Sequence, residues 1–146
     1  MAEGDQERRE NYPHSLRIQT RWIDNDVYGH VNNVVHYSWF DTAVSGWLLE
    51  QGLIEPHRSE QIGLVVETGC RYFAEISFPD TVTAGIRVAK LGTSSVRYEI
   101  GLFRRHDEEP AATGHFVHVW VDRRSQRPVA VPQQIRAALL PLLVAS

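Results

Sequence analysis

The feature that most restricts how this chain can fold is a single helical pattern set into a sequence that otherwise reads as strand. From Asn33 onward, Tyr37, Phe40, Val44 and Trp47/Leu48 recur at intervals of three and four, the stripe of an amphipathic helix. Val34, Trp39 and Ala43 widen that stripe, so more than one side of the helix has to be covered. After residue 60 the pattern is β almost to the end. A helix of this kind has no second long helix to pack on. The economical solution wraps an antiparallel sheet around it.

The elements follow in order. Residues 1–13 are polar and read as a disordered tail. His14–Trp22 alternates as a first strand, with Leu16, Ile18 and Thr20 on one face and Arg17, Gln19 and Arg21 on the other. Asn32 or Asn33 suits the helix N-cap and Gly52 suits its stop. Gly46 lies inside the helix at a cost of ~1 kcal/mol, which close approach to a sheet would offset. Ile62–Phe78 reads as a long strand interrupted near Gly69. Thr81–Leu91 points Val82, Ala84, Ile86 and Val88 inward, and Ser95–Arg104 does the same with Val96, Tyr98, Ile100 and Leu102. Ala111–Asp122 sorts Val117, Val119 and Val121 from Phe116, His118 and Trp120, and Pro132 opens a short closing helix through Leu143. The expectation is an α+β fold of about five strands in one domain over residues 14–146. Its edge strand would let two copies join into a continuous sheet.

Composition narrows the partners. At 146 residues, 42% hydrophobic and 23% charged, the chain has the make-up of one globular domain. A net charge of −3 argues against nucleic acid as the main partner, and Arg104-Arg105 and Arg123-Arg124 read as solvated loop ends. Cys70 is the one cysteine, which excludes an intrachain disulfide and fits a buried, inert thiol. No apolar run approaches the ~18 residues that span a bilayer. The first eleven residues lack the apolar core of a secretory signal, so a cytoplasmic location is expected.

The chemistry concentrates in Arg21-Trp-Ile-Asp24-Asn25-Asp26-Val-Tyr28-Gly29-His30-Val-Asn32-Asn33, just ahead of the helix. Asp24, Asn25 and Gly29 are ordinary turn residues. Asp26 differs by its place, where the free N–H groups and dipole of a helix start favour an anion. Asp24, Asp26 and Gly29 match three positions of a calcium-binding loop, but Val35 falls where the bidentate glutamate belongs, so that reading fails. His115 and His118 are three apart on a strand and face opposite ways. There is no zinc spacing, no phosphate-cradling glycine loop and no Gly-x-Ser-x-Gly elbow.

The string Arg21-x-x-Asp24-x-Asp26-x-x-Gly29-His30-Val31-Asn32-Asn33-x-x-x-Tyr37 resembles the signature of acyl-CoA thioesterases of the 4-hydroxybenzoyl-CoA thioesterase type. Glu67–Phe73, Pro79–Val82, Gly92–Ser95 and Val119–Asp122 fall in the order that this family uses. The resemblance implies a hot-dog fold, one long helix wrapped by an antiparallel sheet and paired as a homodimer that often forms a homotetramer. It implies hydrolysis of an acyl-CoA with no metal or organic cofactor. Asp26 would be the catalytic carboxylate and the backbone N–H near Asn33 the clamp on the thioester oxygen. His30 would be a proton carrier or a loop-fixing hydrogen bond. Tyr28, Tyr37 and Trp39 would shape the acyl pocket, with plain core as the competing reading for Tyr37 and Trp39. Two alternatives of the same fold remain: a non-catalytic acyl-CoA-binding protein, and an enoyl-CoA hydratase. The second usually separates its Asp and His by five residues, where Asp26 and His30 are four apart.

Overall fold

The computed structural model describes residues 7–144. The chain forms β1 (His14–Gln19), α1 (Val35–Glu50), β2 (Gln61–Tyr72), β3 (Thr81–Leu91), β4 (Ser95–Arg104), β5 (Ala112–Asp122) and α2 (Gln133–Leu139). Short 3-10 turns occupy Arg9–Asn11, Trp22–Asp24 and Leu140–Leu142. The strands make one antiparallel sheet in the order β1-β3-β4-β5-β2, which leaves β1 and β2 at the edges. The helix α1 crosses one face, and the inward rows of β3 and β4 predicted from alternation are all fully buried beneath it. On β5 the row Phe116, His118 and Trp120 is the one buried with the core.

The helix is held where a large aromatic side chain meets a residue that has none. A Cβ placed on Gly114 of β5 would collide with the ring of Phe40, which is fully buried. The missing methyl is therefore what lets α1 settle on the sheet. Gly46, expected to serve that purpose from the helix side, does not: a Cβ there would meet nothing within 4 Å. The close approach is made by a strand glycine instead. The helix ends as predicted: Gly52 takes φ 68°, its N–H donates to the Leu49 carbonyl, and the Leu53 N–H donates to that of Leu48.

Three boundaries differ from the sequence expectation. The described part of the supposed tail, residues 7–13, is packed rather than disordered; residues 1–6 lie outside the described residues. Tyr12 is 6% exposed and lies over Gly85 and Gly101 on the outer face of the sheet. Arg87 stacks on its ring at 4.6 Å, and Glu7 accepts its hydroxyl at 2.6 Å. Arg9 donates to the carbonyls of Asp107 and Arg105. The second difference is in β2, which ends at Tyr72 and is irregular between Val65 and Glu67 rather than at Gly69. The third is the helix start. Val34 occupies the N-cap position without a side-chain cap, and Asn32 caps earlier by accepting the Val34 N–H on Oδ1 at 3.1 Å. No helix among the described residues is long and apolar enough to cross a membrane.

Two consequences of this packing are measurable. Gly114→Ala is expected to lower the free energy of unfolding by about 1–3 kcal/mol, the usual cost of overpacking. In a Phe40→Leu background the same change should cost less, a coupling that urea denaturation of the four chains would read. His118 is buried, and burial pulls its pKa from 6.5 down to about 4, with Asp41 opposing in part. As pH falls through 6.5 the unfolded chain takes up a proton that the folded chain refuses until about 4, so stability drops across that window. Relative to His118→Phe, the wild-type protein should lose on the order of 3 kcal/mol between neutral pH and the lower end of the window. Urea titrations at several pH values would check this.

Candidate functional site

The acidic turn uses its two carboxylates differently. Asp24 is buried and spent on structure: the Arg21 N–H donates to Oδ2 at 2.7 Å, and the Arg21 guanidinium donates to Oδ1 at 3.1 and 2.8 Å. The Asp24 carbonyl accepts the Asn32 N–H at 2.8 Å, tying the start of the turn to the approach of α1. Asn25 accepts the Phe78 N–H at 3.1 Å, and the Val31 N–H donates to the Ile76 carbonyl at 2.7 Å. The turn is thereby stitched to the segment after β2. Between these stitches the chain closes a small loop, in which the Asp26 N–H donates to the His30 carbonyl at 2.8 Å and Gly29 supplies φ 82°.

Asp26 emerges from that loop half-buried, its Oδ1 accepting the Tyr28 N–H at 2.8 Å. It lines a cleft of about 650 Å³ together with Tyr28, His30, Val31, Asn33, His36, Tyr72, Phe73, Ala74, Glu75 and Ile76. One wall is the turn, another the first turn of α1, and the third the end of β2 with the residues that follow it. At the helix start the amides are unequally occupied. The Val34 and Val35 N–H groups are taken by the Asn32 side chain and carbonyl, whereas that of Asn33 has no acceptor among the described residues. The Asn33 carbonyl, in turn, accepts the Tyr72 hydroxyl at 2.5 Å. The Tyr72 proton is held firmly: burial raises its pKa, and the neighbouring Cys70 and Tyr37 add to the effect.

The remaining polar groups of the cleft are arranged as pairs or kept neutral. His30 Nε2 lies 2.8 Å from a carboxylate oxygen of Glu75. His36 is buried edge-on to Tyr72 at 4.8 Å. Burial lowers its pKa, partly offset by the carbonyls of Asn33 and Asn32, so the ring is uncharged at neutral pH. Among the described residues no group of three or more His, Cys, Asp or Glu side chains is placed to hold a metal ion.

Of the six residues singled out from sequence, the structure brings Asp26, Tyr28, His30 and Asn33 to one cleft. Tyr37 does not line it; half-buried, it packs edge-on against Phe40 at 5.8 Å and sits beside the Tyr72 hydroxyl. Trp39 does not line it either. It is 4% exposed and belongs to the core, because a residue beyond the first turn of α1 points away from the helix mouth and into the sheet. The sequence reading missed His36, Tyr72, Phe73 and Glu75. The first was visible as a histidine in the first turn of the predicted helix, whereas the aromatic pair lay inside a strand expected to run on to Phe78. Nothing local marks Glu75, which reaches His30 only through the fold.

Comparison with known proteins agrees with this architecture. Residues 18–139 match the family described as the thioesterase-like superfamily. The crystal structure of the PA5185 protein from Pseudomonas aeruginosa strain PAO1 is 52% identical, with a TM-score of 0.92 over 96% of this chain and 98% of that one. The PA2801 protein of Pseudomonas aeruginosa, provisionally assigned as a thioesterase, is 31% identical with a TM-score of 0.81 over 87% of this chain and 98% of that one. A thioesterase from Thermus thermophilus, solved with coenzyme A and zinc, is 31% identical with a TM-score of 0.75 over 91% of this chain and 96% of that one. With one long helix wrapped by a five-stranded antiparallel sheet in the hot-dog manner, the chain belongs to the thioesterase-like superfamily and is a thioester hydrolase.

Proposed function

We propose that this chain hydrolyses an acyl-CoA thioester, with Asp26 as the catalytic carboxylate and the Asn33 N–H as the clamp on the carbonyl oxygen. The observation that carries the reading is that this half-buried carboxylate and Asn33, whose N–H has no acceptor among the described residues, line one cleft. A thioester carbonyl is already electrophilic and its thiolate leaves readily, so the demands on the protein are few. Asp26 attacks the carbonyl carbon, the C–S bond breaks to release the thiolate, and water opens the resulting mixed anhydride; alternatively, Asp26 takes a proton from the attacking water. In either route negative charge grows on the carbonyl oxygen, where one preorganised donor is worth ~3 kcal/mol. The Asp26 carboxylate is held for this by the Tyr28 N–H, and its backbone by the His30 carbonyl. The pairing of its ring with Glu75 favours the loop-fixing role for His30. The coenzyme A bound by the Thermus thermophilus relative supports this carrier.

The same reading places the working site in a homodimer, which assembles further to a homotetramer. The edge strand β2 leaves Val65 46% and Val66 60% exposed, and Tyr72 and Phe73, at the mouth of the cleft, are about as open. An unpaired edge with apolar side chains asks for a second strand, and the partner would close one side of the cleft.

Asp26→Asn is expected to lower kcat/KM for thiol release by at least about 10²-fold across a panel of acyl-CoAs. Its circular dichroism and melting temperature should stay those of the wild-type protein. Wild-type turnover in this variant would remove Asp26 from the mechanism. In light scattering the protein should have the mass of a dimer or tetramer, and Val66→Lys should shift it toward monomer with loss of activity. An unchanged mass would rule out β2 as the contact.

A further inference from the structure

A clamp made of one amide works only while that amide points at the oxygen it holds, so what fixes the backbone at Asn33 matters. Asn33 joins two peptide units. In the first, which carries its own N–H, the Asn32 carbonyl accepts the Val35 N–H at 2.9 Å. In the second, the Val34 N–H donates to Asn32 Oδ1 at 3.1 Å. Asn32 is anchored in turn by its N–H on the Asp24 carbonyl at 2.8 Å. All these ties come from the acidic turn or the start of α1, and the His36 ring, which faces the carbonyls of Asn32 and Asn33, belongs to the same stretch. The Tyr72 hydroxyl is different. It comes from the last residue of β2, on another wall of the cleft, and donates to the Asn33 carbonyl at 2.5 Å. The second peptide is thereby held at both ends, which leaves the first less room to rock about Asn33.

Tyr72 is suited to hold this carbonyl without entering the chemistry. His36 packs edge-on to its ring at 4.8 Å, which limits how the ring can turn. Burial raises the pKa of the phenol, so it keeps the proton that it donates. The Tyr37 hydroxyl lies beside it. A phenol has one proton to give. With that of Tyr72 spent on Asn33, a hydrogen bond between the two phenols is donated by Tyr37. A hydroxyl that accepts while it donates is polarised, and its own bond is strengthened. Tyr37 thus reaches the clamp through Tyr72, although it does not line the cleft and packs against Phe40 instead. We propose that Tyr72 is the positioning residue of the Asn33 clamp, backed by Tyr37, an inference that rests on the hydrolytic reading above.

The test measures thiol release from the best acyl-CoA of the panel by Tyr72→Phe, Tyr37→Phe and the double variant of the full-length protein. Tyr72→Phe keeps the ring against His36 and deletes one hydroxyl. Its kcat should fall about tenfold, less than the loss of a whole donor, because the amide remains but is held less well. KM should stay within about twofold, since the charge that the clamp meets grows only in the transition state. The pH dependence of kcat/KM should keep its shape, because the phenol carries no charge over the working range; a displaced profile would mean that the hydroxyl acts on the acid–base groups instead, and would overturn the proposal. Tyr37→Phe should lower kcat about two- to threefold alone and add nothing in the Tyr72→Phe background, as two residues acting in series do. Wild-type kcat in Tyr72→Phe, a rise in KM alone, or additive effects of the two changes would each defeat it. Should Tyr72→Phe not fold, the kcat of Tyr37→Phe decides. Wild-type turnover in Asp26→Asn, or no turnover of any acyl-CoA by the wild-type chain, would instead remove the hydrolytic reading itself, so the two failures are told apart.

Discussion

Everything in this molecule depends on how α1 lies on the sheet. Phe40 fits where Gly114 has no side chain, and around that point Trp39, Ala43, Val44, Trp47 and Leu48 meet the inward rows of β3, β4 and β5. Burying a large aliphatic or aromatic side chain is worth about 1.5–3 kcal/mol, so this face dominates the favourable side of folding. It also fixes an orientation. With its flank held against the strands, α1 has its N-terminal end beside the cleft, and the unoccupied amide of Asn33 lies two residues ahead of that end. The site is thus a by-product of core packing: the same contacts that stabilise the fold aim a helix start at a cleft.

The acidic turn shows how a short polar segment can commit one carboxylate to structure and leave another open to a cleft. Asp24 is buried, takes three donors from Arg21, and through its carbonyl anchors Asn32. Asp26, two residues on, takes one donor and stays half-buried. A carboxylate saturated by a guanidinium is a poor nucleophile and a poor base, since its lone pairs are engaged and its anionic form is stabilised. Splitting the duties gives the loop rigidity from the first carboxylate and leaves the second available. Tyr72 extends this logic across the cleft, because its hydroxyl on the Asn33 carbonyl fixes the peptide that follows the unoccupied amide.

The periodic parts of the fold were legible in the sequence because period is a local property. β3 and β4 were bounded to the residue, and their inward rows followed from alternation alone. What local pattern cannot carry was missed. The polar run before β1 looked disordered, yet Tyr12 finds a berth made by Gly85 and Gly101, two glycines on strands far away in sequence. Gly46 and Gly114 are indistinguishable as isolated glycines; only the packing shows which one a neighbour approaches. The site divides the same way. The turn residues from Asp26 to Asn33 were readable as a motif, whereas Glu75, Tyr72 and His36 enter the cleft because β2 ends beside the first turn of α1. Trp39 was misplaced for a related reason: the helical wheel gives an angle, and only the sheet shows how far along the helix the cleft extends.

Edge position is what makes β2 the versatile strand of this sheet. A central strand has both sides occupied by hydrogen-bonded neighbours, so its side chains are constrained by packing on each. β2 pairs only with β5, and its irregularity between Val65 and Glu67 disturbs even that register. Its first half lays Gly63 against the buried ring of His118. Its last residue, Tyr72, shapes the cleft. Its middle keeps Val65 and Val66 in the open. A change in any of these stretches alters a different surface while leaving the pairing of β3 with β4 untouched. On this sheet the packing that folding depends on is concentrated in the centre, and the freedom to alter ligands and partners lies at the β2 edge.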